Sequence, residues 1–429
     1  MRAGLRIAVI GSGIAGLSAA WLLSRKHRVS LLEADARLGG HTHTVDLSLG
    51  GVTSPVDTGF LVFNDRTYPH LNALFRETGV RWSDSDMSFS VRVEDAGLEW
   101  AGSSLATVFA QKRNLVSPEF WRMLKDIMRF NRETTALARA GAAVPGTLGE
   151  FLRRGGYGRA FTDWYLLPMG GAVWSCPTEA MLEFPAETFL RFCFNHGLLA
   201  VNGRPKWRTV TGGAREYVRR LALDIPDVRT GARVARVLRG EFGVEVALAS
   251  GRTERFDRAV LACHADQSLR LLGDADVGER AILGAFRFQR NRALLHTDAS
   301  FLPRSRDAWS AWNYHAGPRG AAGAPVSVSY LINRLQPLPF AQPVLVTLNP
   351  YREPAPGTVV GDYEYEHPIF DAAAVAAQGR LASVQGARRT WFCGAWTGYG
   401  FHEDGLKSGL AVANQMGVRA PWQESEAAA

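Results

Sequence analysis

An α/β fold with a second, mixed α+β domain is predicted by three features of the chain: an apolar strand-like run near the N-terminus, a glycine-punctuated helical segment directly after it, and alternating apolar runs between residues 286 and 350. Leu5 to Ile10 reads as a short buried strand, Ala15 to Arg25 has helical composition, and Arg28 to Glu33 is strand-like again. Strand, helix and strand within roughly 30 residues make a βαβ unit, which implies a parallel sheet.

A chain of 429 residues, 46% hydrophobic and 21% charged, can bury a large core and divide into two domains. No run approaches the roughly 18 apolar residues of a membrane span. The basic and then apolar start resembles a signal peptide, but three glycines interrupt it, so it reads as mature structure. Cys176, Cys193, Cys263 and Cys393 form no CxxC pair, which argues against zinc or a disulfide framework and predicts a reducing, cytoplasmic setting. His41 and His43 lack a third ligand at useful spacing, so no metal is expected.

Net charge is +8, concentrated between Gln111 and Arg159, where ten Lys or Arg face four Asp or Glu. Such a stretch is either a solvated basic face or a contact for an anionic surface such as phospholipid, which would make the protein peripheral on the inner face of the membrane. A nucleic-acid partner is not expected. Within it, Pro118 to Ala140 predicts an amphipathic helix with Phe120, Leu124, Ile127 and Met128 on one face and Arg122, Lys125, Arg129 and Arg132 opposite. Further on, Trp164, Tyr165, Leu166, Leu167, Trp174, Phe184, Phe189, Phe192 and Phe194 either fill a core or line an apolar tunnel.

Val228 to Leu261 reads as strands about a turn at Gly251, ending in the buried Ala259 to Ala262. Val326 to Tyr330 and Val344 to Leu348 alternate as in an antiparallel sheet. Ala316 to Pro325 predicts a hairpin loop within that sheet, and Gln423 to Ala429 a frayed tail.

The chemistry starts at Gly11-Ser12-Gly13-Ile14-Ala15-Gly16, set between the first strand and the first helix. The first glycine permits the tight turn, the second lets backbone approach a diphosphate, and the third lets helix and strand pack closely, while the helix end offers free N–H groups. Glu33, followed by Ala34, closes the second strand where a carboxylate can accept hydrogen bonds from an adenosine ribose. The first domain is therefore of the Rossmann type. Arg37-Leu38-Gly39-Gly40 follows, and GxGxxG, acid and RxGG in this order resemble the flavoprotein amine oxidase and phytoene-desaturase-like superfamily, with its glutathione-reductase-like FAD-binding domain.

That resemblance implies FAD, held by Gly11 to Gly16, Glu33, Ala34, Arg37, Leu38, Gly39 and Gly40. It extends to Thr58 and Gly59 in Val56-Asp57-Thr58-Gly59-Phe60, to Gly212-Gly213, to Val234, to Gly394 in Phe392-Cys393-Gly394-Ala395, and to Asp404 and Leu406 in the closing stretch Glu403 to Gly409. Where many members carry an acid after the glycine matching Gly394, Ala395 and Trp396 stand here. The implied division is a discontinuous FAD domain of residues 1–65, 206–270 and 386–420, a substrate domain of 66–205 and 271–385, and a tail of 421–429. With no second GxGxxG for a pyridine nucleotide, oxygen is the expected electron acceptor.

The strings Gly40-His41-Thr42-His43-Thr44, Asp57 to Arg66 and His402 to Gly409 are similar to a bacterial branch close to fatty-acid desaturase and double-bond isomerase flavoenzymes. This implies an unsaturated fatty-acyl chain, free or in phospholipid, as the substrate. The reaction it implies is hydride removal with loss of a proton from a neighbouring carbon; an isomerase instead returns the hydride elsewhere. Positioning and exclusion of water carry such chemistry. The base is sought among His402, Glu403, Tyr399 and His264, each of which also has a structural reading: His402 and Glu403 as helix cap or buttress, Tyr399 as packing, His264 as the end of a strand. Amine oxidation, with Lys407 near the flavin, and a non-catalytic flavin-binding redox module are the competing readings.

Overall fold

The computed structural model describes residues 4–175, 177–200, 203–316 and 326–428. Cys176 and residues 317–325 of the expected hairpin loop lie outside the described residues.

Strand β1 (Arg6–Ile10), helix α1 (Ile14–Leu23) and strand β2 (Arg28–Leu32) form the expected opening unit. β1 is central in a five-stranded, wholly parallel sheet ordered Asp227–Arg229, β2, β1, Arg258–Leu261, Thr390–Phe392. Parallel strands are covered on both faces, which is why these segments read as unbroken apolar runs. All ten residues of α1 are buried, because the sheet, the helix Arg215–Leu223 and the closing helix His402–Gln415 enclose it.

Beside this sheet, Val234–Gly240, Gly243–Leu248 and Thr253–Phe256 form a small antiparallel sheet. Its Arg239 forms a fully buried ion pair with Glu279. A seven-stranded sheet runs in the order Val359–Ile369, Arg287–His296, Leu345–Leu348, Ser327–Leu331, Trp312–Ala316, Phe89–Val93, Leu98–Ala101. Its pairs are antiparallel except Trp312–Ala316 with Phe89–Val93, so the sheet is mixed.

Ser117 caps the long helix Pro118–Arg139 by accepting the Phe120 N–H, and Pro118 occupies the first turn, where its missing N–H costs nothing. The buried arc is Met123, Phe130 and Thr134 with Phe120, and this corrects the predicted facing of Met128. Met128 is 60% exposed and Trp121 49% exposed. Met123 recentres the arc: at 100° per residue, Met123, Ile127, Phe130 and Thr134 superpose and Met128 falls on the outside. The aromatics of the following helices pack on one another, with Trp174 centred 4.5 Å from Phe192 and 5.1 Å from Phe184.

The expected frayed tail is also corrected, since Pro421 opens a helix, Pro421–Ala428, whose first turn packs on α1. Trp422 stacks on Trp21 at 6.4 Å, and this aromatic contact anchors a segment whose composition alone is that of a loose end. Among the described residues no helix is long and apolar enough to cross a membrane.

Candidate active site

The first glycine turn is shaped by contacts that tolerate no side chain. Gly11 has φ +101°, and a Cβ on Gly16 would fall 1.9 Å from the Gly11 carbonyl oxygen. At Gly13, by contrast, a Cβ would meet nothing within 4 Å, so space lies in front of the turn. Glu33 holds the turn from behind: one oxygen accepts the Ser12 N–H at 2.8 Å and the Ser12 hydroxyl, the other the Asp35 N–H at 2.9 Å. A carboxylate has about four acceptor sites, so one remains for a ligand hydroxyl.

The Arg37 to Gly40 turn docks on this loop. Gly39 donates its N–H to the Ser12 carbonyl at 3.1 Å, and the Arg37 guanidinium donates to the Thr42 carbonyl at 3.2 Å. Leu38 packs partly buried against the core around α1. Thr58 and Gly59 run alongside, the Thr58 N–H donating to the His43 carbonyl at 2.8 Å, and a Cβ on Gly59 would strike the His41 carbonyl oxygen at 2.0 Å. Ala34 sits at the end of β2, where the Ala232 N–H donates to the Glu33 carbonyl at 2.7 Å and brings the Val234 strand beside it.

The closing helix lies along α1. Built Cβ atoms on Gly405 and Gly409 would come within 2.8 Å of Ile14 Cγ2 and 2.4 Å of Ser18 Oγ, so the chains advance together and both N-terminal ends face the glycine turns. Each end carries roughly half a positive charge, a ready site for an anion. Gly394 donates its N–H to Ser408 Oγ at 2.9 Å, Asp404 accepts the Phe401 N–H at 3.0 Å, and Leu406 is fully buried in the core between the helices. Trp396 turns into the core, its indole N–H bonded to the Cys263 carbonyl at 3.1 Å.

Four histidines gather where these segments meet. His41 has its ring centre 6.2 Å from His264 and 5.3 Å from His367, and His402 stacks on Phe60 at 3.6 Å. All four are largely buried, yet each keeps some surface open to water. Burial holds His402 down at about 3 and His367 at about 4, and drives His41 and His264 below the ordinary imidazole range. His41 Nε2 is buried with no partner, an orphaned polar atom of the kind a bound polar group satisfies.

The four candidate bases have different surroundings. His402 Nε2 bonds to Thr42 Oγ1 at 2.9 Å and the Tyr217 hydroxyl at 3.0 Å. His264 stands at the N-cap of the helix Ala265–Leu271, stacked on Phe288 at 4.2 Å with Nδ1 3.2 Å from Glu366 Oε2. Glu403 accepts the N–H groups of His70 and Leu71, both at 3.0 Å, and so caps helix α2 (Pro69–Glu77) from another part of the chain. Tyr399 packs 5.7 Å from Phe192. Sequence reasoning missed Tyr365 and His367, whose alternation with Tyr363 on one strand places three aromatic groups on one face. Tyr363 meets His43, while Tyr365 and His367 meet His41. Among the described residues no group of three or more His, Cys, Asp or Glu is arranged to hold a metal.

The family model for flavin containing amine oxidoreductases matches residues 14–282, well over half of the chain. The chain belongs to that family. That family is flavin-containing, and the open space at Gly13, the paired helix ends and the unpartnered His41 nitrogen fit FAD, a bulky anionic cofactor. Polyamine oxidase 3 of Oryza sativa subsp. japonica is 29% identical over 266 residues, 59% of this chain and 50% of that protein. Carotenoid phi-ring synthase of Streptomyces griseus is 34% identical over 137 residues, 29% of this chain and 25% of that one. The chain spans about half the length of the polyamine oxidases it matches. Among solved structures, the CLA-producing fatty acid isomerase from P. acnes superposes with a TM-score of 0.69 at 15% identity, covering 96% of this chain and 99% of that one. Putrescine oxidase bound to putrescine gives 0.70 at 15% identity, with the same coverage. At such identities the likeness is one of fold, shared equally by enzymes of lipid and of amine.

Proposed function

We propose that this flavoenzyme removes a hydride from an unsaturated fatty-acyl chain, presented in phospholipid at an anionic membrane surface, with oxygen as the final electron acceptor. The observation that carries this reading is the absence of an unpartnered carboxylate among the described residues the histidine cluster meets. Its four histidines are held uncharged by burial, and the carboxylates around it are already engaged: Glu403 by the α2 N-terminus, Asp57 by Ala214 and Gln336, Glu366 by His264 and Arg290. A neutral hydrocarbon suits such a site, whereas a polyamine cation needs unpaired carboxylates. Lys407, the lysine weighed for amine chemistry, is exposed on the outside of the closing helix.

FAD, when bound, supplies the hydride acceptor. The residues that would hold it are Gly11 to Gly16, Glu33, Ala34, Arg37 to Gly40, Thr58, Gly59, Val234, Gly394, Asp404 and Leu406. His264 is the best placed base: its imidazole is neutral and free to take a proton, and Glu366 stabilises the cation that results. His402 orients through Thr42 and Tyr217, Glu403 fixes the closing helix to α2, and Tyr399 joins that helix to the aromatic cluster. Water is kept out by that cluster, which reaches Phe401 through Phe192 at 5.0 Å.

Amine oxidation is favoured by the family and by the polyamine oxidase relatives, and a single experiment separates the two. The FAD-loaded protein is mixed anaerobically with dioleoyl-phosphatidylglycerol or with putrescine, and flavin absorbance is followed. Bleaching by the lipid is expected; bleaching by putrescine alone overturns the acyl reading. Double-bond positions in the recovered lipid, read by mass spectrometry, tell desaturation from isomerisation, which leaves no net bleaching.

A further inference from the structure

We propose that the outward face of the long helix Pro118–Arg139, with the segment leading into it, docks on an anionic phospholipid bilayer. Trp121, Lys125, Met128 and Arg132 are spaced i, i+4, i+7 and i+11, so they form one stripe along the helix, and all four are exposed. Bulky apolar groups stand out of the surface beside them: Val116 is 82% exposed, Leu115 49% and, on the preceding helix Leu105–Val108, Leu105 79%. The patch is continuous. The Trp121 indole donates to the Leu115 carbonyl at 2.9 Å, and its ring lies 5.3 Å from Phe109.

Charge decides the partner. Lys112, Arg113, Arg122 and Arg139 are exposed on the helix and the segment leading into it. The helix's own acids face elsewhere: Asp126 takes the Arg129 guanidinium at 3.1 Å and the Gly158 N–H at 3.0 Å, Glu133 takes the Tyr157 hydroxyl at 2.6 Å, and Glu119 lies about 200° around the helix from Trp121. The stripe therefore presents cations and apolar side chains with no carboxylate among them. Lys and Arg held at headgroup depth while Trp, Met, Val and Leu enter the acyl boundary is how an interfacial helix binds, and Trp favours that boundary. The inner face of the same helix packs through Phe130 on the aromatic cluster that includes Tyr399 and Phe401, so one helix links the membrane face to the start of the closing helix.

The purpose of this docking rests on the acyl-chain reading, but the surface does not, and the test keeps the two apart. FAD-loaded protein is sedimented with vesicles of dimyristoyl-phosphatidylglycerol and dimyristoyl-phosphatidylcholine, saturated lipids that offer no double bond. Binding is expected to rise with the phosphatidylglycerol fraction and fall with salt. Lys125→Glu with Arg132→Glu lowers the partition more than about tenfold, and Val116→Ala with Trp121→Ala lowers it without changing its salt dependence, with flavin content unchanged in both. Equal binding to pure phosphatidylcholine, or variants that bind as the parent does, overturns the proposal. So does a concentration-dependent dimer in sedimentation velocity that the same substitutions dissociate. Loss of docking with oleoyl-lipid bleaching retained leaves the acyl-chain chemistry of the proposed function standing.

Discussion

Gly40 lies directly against Gly13: a Cβ built on Gly40 would fall 3.2 Å from the Gly13 Cα. Two glycine turns, one on each side of β2, thus close on each other. The same contacts separate glycines the fold needs from glycines the ligand needs.

Gly16→Ala places a methyl on the Gly11 carbonyl and is expected to lower stability by about 1–3 kcal/mol. Gly13→Ala meets no atom and keeps an ordinary φ of −61°, so its stability should change by less than about 1 kcal/mol, while flavin retained after gel filtration drops sharply. Urea melts of the apoprotein and the flavin-to-protein absorbance ratio read the two effects. Full flavin retention by Gly13→Ala would remove the cofactor from this turn.

Glu403→Ala strips two N–H groups of α2 of their acceptor and should cost about 1–3 kcal/mol. Burial outweighs those donors and holds Glu403 up at about 7, above its ordinary 4.5. A raised carboxylate stabilises the fold below its unfolded value and loses that contribution as pH rises towards the folded one. The stability of the parent relative to Glu403→Gln is therefore expected to fall between pH 4.5 and 7, and an unchanging difference across that window counts against the assignment.

Acid should destabilise the whole protein early. Nine histidines are held below their ordinary value, chiefly by burial. Each favours the unfolded chain once pH drops below about 6.5, because only the unfolded form takes up the proton. Asp57, Glu403 and Asp404, all raised, oppose this but are three against nine. The urea midpoint is expected to fall between about pH 7 and 5 by the equivalent of several kcal/mol. A midpoint that holds or rises contradicts this balance.

Glu279→Ala takes from the buried Arg239 guanidinium one of its two carboxylates, leaving Asp274 at 2.8 Å, and should cost about 1–3 kcal/mol. Arg239→Met combined with Glu279→Leu should recover much of it, measured by thermal melts. Because this pair braces the small antiparallel sheet, away from the glycine turns, flavin content of the double variant should stay near that of the parent.

The opening strand, turn, helix and strand were legible because every determinant is local. Gly11, Gly13, Gly16, Ser12 and Glu33 act on one another within about 20 residues, and φ preference, close packing and one carboxylate suffice to specify the turn. The amphipathic helix was legible as a helix for the same reason. Which way it faced was not, because Trp121 and Met128 on the one side and Met123 on the other are all apolar, and only the neighbours supplied by the fold choose the arc that is buried.

What residue order alone determined is therefore the glycine turn and the alternation of elements, since periodicity and backbone freedom operate over a few residues. Tertiary structure decided the histidine cluster: His41, His264, His367 and His402 come from four distant segments, and their neutrality arises only when the sheets and the closing helix exclude water around them. Desolvation is a property of what surrounds a group, and no spacing of residues along the chain carries it.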